Sequence, residues 1–91
     1  MAVIRYDILF RGRVQGVFFR ATACDLAKTL PLNGWIRNEP DGSVRCVIEG
    51  EPDTLDRFLS SLKQAKQNNI DSTDITHHPS TSEFRGFDIR Y

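Results

Sequence analysis

Residues 12–20, which read Gly-Arg-Val-Gln-Gly-Val-Phe-Phe-Arg, constrain the fold more than any other stretch because they join two residue periodicities. Apolar residues alternate before this stretch as in a strand, and after it they recur with helical spacing. Gly12 and Gly16 permit the positive φ angles of a tight strand-to-helix turn. The turn's amide N–H groups and the positive end of the helix dipole attract anions, and Arg20 in the first helical turn could bind phosphate bidentately. We therefore predict a site for a phosphate-sized anion.

Periodicity and turn residues predict five strands and two helices. The elements, in order, are a strand over 3–11, a helix from Phe19 that Pro31 stops, a hairpin of strands 34–39 and 43–49 around Glu39-Pro40-Asp41-Gly42, a helix from Pro52 to Ala65, a strand near 72–78, a loop over 79–83, and a short final strand containing Phe87, Ile89 and Tyr91. This order predicts an α+β, ferredoxin-like βαββαβ sandwich, with two helices on one face of an antiparallel sheet and a short extra C-terminal strand.

The apolar residues of these elements define a single predicted core. The residues expected to be buried are Ile4, Tyr6, Ile8 and Phe10 of the first strand, Phe19, Ala23, Leu26, Ala27 and Leu30 of the first helix, Val44, Cys46 and Ile48 of the hairpin, and Leu55, Phe58, Leu59 and Leu62 of the second helix. A chain of 91 residues has room for one core of this size, so one domain over residues 1–91 is predicted.

Charge and apolar patterning limit the protein's partners and compartment. Twelve basic and twelve acidic residues cancel, so the chain lacks the overall basic field of a nucleic-acid-binding protein. Arg5 and Asp7 interrupt any signal-like apolar run, and no segment has the length to cross a bilayer. We therefore expect a cytoplasmic monomer with no nucleic-acid or membrane partner. Cys24 and Cys46 are expected to be reduced thiols packed in a helix and a strand, although a disulfide is not excluded.

Two motifs carry a resemblance that covers essentially the whole chain. The first is residues 12–20. The second is Gly34-Trp35-Ile36-Arg37-Asn38, followed by Asp41-Gly42-Ser43-Val44 and Glu49-Gly50. In this order and spacing they resemble the signatures of the acylphosphatases, and the closing Gly86-Phe87-Asp88-Ile89-Arg90-Tyr91 agrees with that family as well.

The resemblance implies a ferredoxin-like enzyme that hydrolyses small acyl phosphates without metal or cofactor. By the family's pattern, Arg20 binds the phosphate and Asn38 orients the attacking water. Backbone amides of the turn would complete the phosphate site, and its residues are Gly12, Arg13, Val14, Gln15, Gly16, Val17 and Phe18. For Gln15 two roles stay open, a side-chain contact or the use of its backbone alone.

The chain departs from the family's pattern in three places outside the residues assigned to the site. Pro31 stands where a glycine commonly ends the first helix, and residues 67–71 replace a usual Gly-Pro pair and Ala-x-Val strand opening. Glu39 follows Asn38, and we expect its side chain to face away from the site because neighbouring strand residues point to opposite faces.

Two other classes of function are compatible with this fold. A non-catalytic module could capture an acyl or carbamoyl phosphate, or a regulatory anion, without turnover. An RNA-binding sheet would need exposed aromatic residues on the third strand, where Arg45 and Glu49 stand instead. A metal site is not predicted, because the adjacent His77 and His78 would face opposite ways on a strand.

Overall fold

The structure is a computed structural model and describes residues 3–91. Its elements, in chain order, are β1 (Ile4–Gly12), α1 (Phe19–Ala27), β2 (Asn33–Asn38), β3 (Val44–Gly50), α2 (Pro52–Ala65), β4 (Ile70–Pro79) and β5 (Phe87–Arg90). The predicted βαββαβ order with an added C-terminal strand is confirmed. The prediction of one domain extends to Met1 and Ala2, which lie outside the described residues, and it stays a prediction.

The five strands form one sheet in the order β4-β1-β3-β2-β5. β1 pairs antiparallel with β3 and β4, and β2 pairs antiparallel with β3. The sheet is nevertheless mixed, because β5 runs parallel to β2. The predicted antiparallel pairing is confirmed for β1 to β4, and the direction of the added C-terminal strand was not predicted because its apolar alternation carries no information about direction.

The core lies between one face of the sheet and the two helices. The side chains that strand and helix periodicity assign to it are buried except for Ile4, Leu26 and Leu30, which are half-buried and pack against the core. Those fully buried include Ile8, Phe10, Val44, Ile48, Leu55 and Phe58. Phe10 near the end of β1 and Phe19 at the start of α1 pack edge to face, with ring centroids 5.0 Å apart. This contact anchors both ends of the β1–α1 loop, residues 13–18, in the core.

Two boundaries differ from the sequence prediction. α1 ends at Ala27 rather than running to Pro31. Its last turn tightens because the backbone N–H and the hydroxyl of Thr29 both donate to the carbonyl of Leu26. β4 begins at Ile70 rather than near residue 72, because pairing with β1 continues past a register shift between Arg11 and Gly12.

No helix from residues 3–91 covers the other face of the sheet, which is lined with charged side chains. Trp35 lies on this face yet is only 8% exposed, since the guanidinium groups of Arg37 and Arg90 lie 4.9 and 4.8 Å from its ring centroid. The carboxylate of Glu49 is 3% exposed and accepts hydrogen bonds from Arg5 Nε and from the backbone N–H groups of Thr81 and Ser82. It thereby holds the 80–86 loop near the start of β1. Within residues 3–91, no helix is both long and apolar enough to span a bilayer.

Candidate active site

The two glycines of the β1–α1 turn have different structural tasks. Gly12 has a φ of 129°, and a Cβ on it would lie 2.7 Å from the backbone nitrogen of Asp71 and closer still to the carbonyl oxygen of Asn69. Gly12 therefore lets β1 lie directly against the start of β4. Gly16 has a φ of 73°, and a Cβ there would meet no heavy atom of the described residues within 4 Å. Its backbone is open to an approaching ligand.

The N-terminus of α1 has the electrostatic character of an anion site. Phe18 at the N-cap position adopts the left-handed conformation and makes no side-chain capping hydrogen bond, and the first turn contains no acidic residue. The unpaired N–H groups and the positive end of the helix dipole are thus not neutralised by a side chain. Arg20, in this same turn, is half-buried.

A hollow of about 270 Å³ lies at this helix terminus. Arg20 and Asn38 both line it, together with Val14, Gly16, Phe18, Phe19, Ala21 and Ile89. The structure therefore brings the two predicted catalytic residues together although they belong to different elements. Of the predicted loop residues, Val14, Gly16 and Phe18 line the hollow, whereas Arg13 is exposed and lies outside its lining.

Asn38 is placed by strand register. It ends β2 opposite Val44 of β3, which in turn is in register with Phe10 through the β1–β3 pairing, so its side chain is on the helix-covered face of the sheet. Its Oδ1 is buried and has no hydrogen-bond partner among residues 3–91. A buried acceptor without a partner is unfavourable unless water or a ligand supplies the donor.

The acidic side chain next to Asn38, that of Glu39, points away from the hollow. Glu39 pairs with Arg37 at 3.2 Å on the opposite face, as strand alternation predicts. In the described part of the chain, no carboxylate lies within ion-pair distance of Arg20, whose Cζ lies 5.2 Å from the ring centroid of Tyr91. The charge of Arg20 remains available to an anion.

The side chains of Gln15 and Lys66 hold the loop in place. The Gln15 amide donates to the carbonyl oxygens of Glu39 and Ser43, both at 2.8 Å, and so ties the loop to the β2–β3 turn. The Gln15 side chain thus makes contacts within the protein and lies outside the lining of the hollow, and the use of its backbone amide for phosphate stays a prediction. Lys66, just after α2, donates from Nζ to the carbonyl of Val17 at 2.8 Å. Residue periodicity has no signal for either contact, because both join a side chain to a distant carbonyl.

A second hollow, the two thiols and the potential metal ligands are less suited to form an active site. A larger hollow of about 560 Å³ on the open face of the sheet is lined by Asp7, Glu39, Asp41 and Asp74 with Arg45, and this carboxylate excess disfavours an anion. Cys24 and Cys46 are free thiols, and burial raises the pKa of each, which makes them poor nucleophiles. Across residues 3–91, no three His, Cys, Asp or Glu side chains converge as metal ligands would.

Known proteins that are similar to this chain match it over almost its whole length. A family model described as Acylphosphatase matches residues 6–89. An acylphosphatase from Aeropyrum pernix is 44% identical over 92 residues, covering 99% of this chain and 91% of that protein. One from Albidiferax ferrireducens is 37% identical over 90 residues, covering 99% and 97%. The crystal structure of acylphosphatase from Bacillus subtilis superposes with a TM-score of 0.86 at 31% identity, covering 97% of this chain and 99% of that one.

Proposed function

This chain belongs to the acylphosphatase family and has acylphosphatase activity, and from that premise we propose which of its residues carry out the reaction. The substrate is a small acyl phosphate, whose carboxyl–phosphate bond is hydrolysed to a carboxylate and inorganic phosphate. Arg20 and the amides of the β1–α1 loop hold the phosphoryl group. Asn38 orients the water that attacks it.

The chemistry places few demands on the protein. The leaving carboxylate is a weak base and departs without protonation, so no strong general acid is needed. What remains is to stabilise charge on the phosphoryl oxygens and to hold water in line with the bond that breaks. The guanidinium of Arg20, the open backbone at Gly16 and the uncapped start of α1 are suited to the first task.

Asn38 is suited to the second task as an acceptor. Its Oδ1 would accept a hydrogen bond from the water, but a neutral amide cannot take up the proton. The water oxygen forms the new bond to phosphorus, the bond to the carboxylate oxygen breaks, and a phosphoryl oxygen receives the water proton. The observation that carries this assignment is the buried Oδ1 of Asn38, which has no hydrogen-bond partner in the described part of the chain and lies in the same hollow as Arg20.

Phosphate release from acetyl phosphate and benzoyl phosphate in the presence of a chelator tests the proposal. Arg20→Ala should lower kcat/KM by about a thousandfold or more, as for other arginines directed at a transferring phosphoryl group. Asn38→Ala should lower it by about a hundred- to a thousandfold, the scale of losing one oriented polar group in an active site. Arg57→Ala and Asn68→Ala are matched controls, since both residues are exposed and lie outside the hollow.

The outcome also separates the enzyme from the binding module. If the unaltered protein binds inorganic phosphate in competition with acetyl phosphate but releases phosphate from neither substrate, the protein is a non-catalytic binding module. If Arg20→Ala or Asn38→Ala retains full activity, the role assigned to that residue is wrong. Loss of activity in either control variant would mean that the substitutions act through stability rather than through the site.

We further propose that the enzyme acts in the cytoplasm as a monomer, without a metal, a cofactor or a nucleic-acid partner. The zero net charge and the two free thiols support this setting. Light scattering coupled to size-exclusion chromatography tests the monomer, and unchanged turnover in chelator tests the independence from metal.

A further inference from the structure

Phe18 combines two features that do not help the chain to fold. Its side chain is 83% exposed, although a phenylalanine gains stability mainly from burial. Its backbone has φ 60° and ψ 24°, a left-handed conformation that is uncommon for a bulky residue and that glycine adopts more readily. Strained backbone of this kind is concentrated at functional sites.

The exposed ring of Phe18 lies at the hollow that contains the two candidate catalytic residues. It lines the same hollow as Arg20 and Asn38, and the half-buried Ile89 of β5 is another apolar member of that lining. The hollow, at about 270 Å³, is below the 300–1,000 Å³ that is usual for small-molecule sites. A phosphoryl group held by Arg20 and the loop would fill much of it, so the acyl group must extend toward the rim.

We propose that Phe18 is a specificity-determining residue whose ring binds the acyl group, so that the enzyme prefers acyl phosphates with aromatic or bulky apolar acyl groups. This inference rests on the proposed function, because it requires the phosphoryl group to lie between Arg20 and Asn38. The left-handed backbone directs the ring outward at the start of α1, where it can pack on an apolar acyl group and shield it from water. An acetyl group is too small to gain much from this contact.

The ratio of kcat/KM for benzoyl phosphate to kcat/KM for acetyl phosphate tests the inference. A methylene in an apolar pocket discriminates by about 10–200-fold, and at an open rim we expect the lower end, so Phe18→Ala should reduce the ratio about tenfold. A disturbance of the anion loop alone would affect both substrates alike and leave the ratio unchanged. Phe84→Ala removes an aromatic ring on the other face of the sheet and should leave the ratio and both activities unchanged.

Two more substitutions separate the ring from the backbone. Phe18→Gly suits the positive φ but lacks the ring, so it should reduce the ratio as much as Phe18→Ala does. Phe18→Leu should retain part of the preference. A ratio that stays within twofold in both the Ala and Gly variants, or that falls in only one of them, would overturn the role of the ring. Failure of the unaltered protein to release phosphate from either substrate would instead refute the proposed function, and this inference with it.

Discussion

Replacing Gln15 with methionine should destabilise the protein and misplace the anion loop at the same time. The side chain spans from the loop to the β2–β3 turn, where its amide donates two hydrogen bonds of 2.8 Å to Glu39 O and Ser43 O. Methionine has a similar length, but its side chain cannot donate a hydrogen bond. The substitution therefore removes these two bonds with little change in volume.

The loss of stability in Gln15→Met depends on which hydrogen bonds the two carbonyl groups still accept. Glu39 O still accepts from Gly42 N at 3.1 Å, and Ser43 O still accepts from Glu39 N at 2.8 Å, so neither is left without a partner. Each lost bond then costs about 1 kcal/mol of unfolding free energy, or about 2 kcal/mol together. For a domain of this size that corresponds to a decrease in Tm of about 8–16 °C.

Activity should fall as well, at temperatures where the variant remains folded. Displacing a positioning group by about 1 Å can cost about a hundredfold in rate, and Gln15 fixes the loop relative to the turn that follows Asn38. Thermal unfolding followed by circular dichroism and phosphate-release kinetics measure the two effects. Gln64→Met is the matched control, because Gln64 is exposed on α2. A Gln15→Met variant with unchanged Tm and unchanged kcat/KM would refute the role of the Gln15 side chain in holding the β1–α1 loop to the β2–β3 turn.

Three further predictions concern the glycines, a buried carboxylate and the thiols. Gly12→Ala should lower the unfolding free energy far more than Gly16→Ala, because only at Gly12 would a Cβ meet the backbone of β4, and equal denaturation midpoints would contradict this. Burial raises the pKa of Glu49, but its hydrogen bonds from backbone N–H groups and its ion pair outweigh burial, so its pKa in the folded protein is lowered. The stability that ionised Glu49 adds is therefore present above the ordinary glutamate pKa of about 4.3 and is lost as pH falls through the pKa of the folded protein. The difference in denaturant midpoint between the unaltered protein and Glu49→Gln should accordingly shrink toward acid pH. A difference that does not change with pH would mean that Glu49 is neutral in the folded protein. A thiol reagent at mildly alkaline pH should modify Cys24 before the fully buried Cys46 in the native protein and both in urea, and equal native rates would exclude the observed packing.

The elements that periodicity predicts well are those with one buried face. β1, the hairpin and α2 each have apolar residues at strict intervals, and the structure buries those residues. β4 lacks this signal because it is an edge strand with mostly exposed side chains, and its backbone pairing with β1 determines where it begins. The parallel direction of β5 depends on the path of the 80–86 loop, which Glu49 and Asn33 hold through bonds to its backbone.

The sequence motifs predict the chemistry of the hollow but not what supports it. Arg20 and Asn38 could be singled out because each stands in a motif with a known spacing. The contacts of Gln15 and Lys66 could not, because each joins a side chain to a main-chain oxygen 24 to 49 residues away. The outward ring of Phe18 was also not foreseen, since a left-handed backbone at a bulky residue has no sequence signature.

The place of β1 between β4 and β3 in the sheet affects how the chain acquires its activity. Tyr6 lies opposite Ile48 on one side and His77 on the other, so both neighbours of β1 come from distant parts of the chain. Pairing over such separations closes long loops and slows folding. The hollow between α1 and the end of β2 forms only when the hairpin has docked beside β1. Recovery of turnover after dilution from denaturant will therefore follow completion of the sheet rather than the initial collapse of the chain.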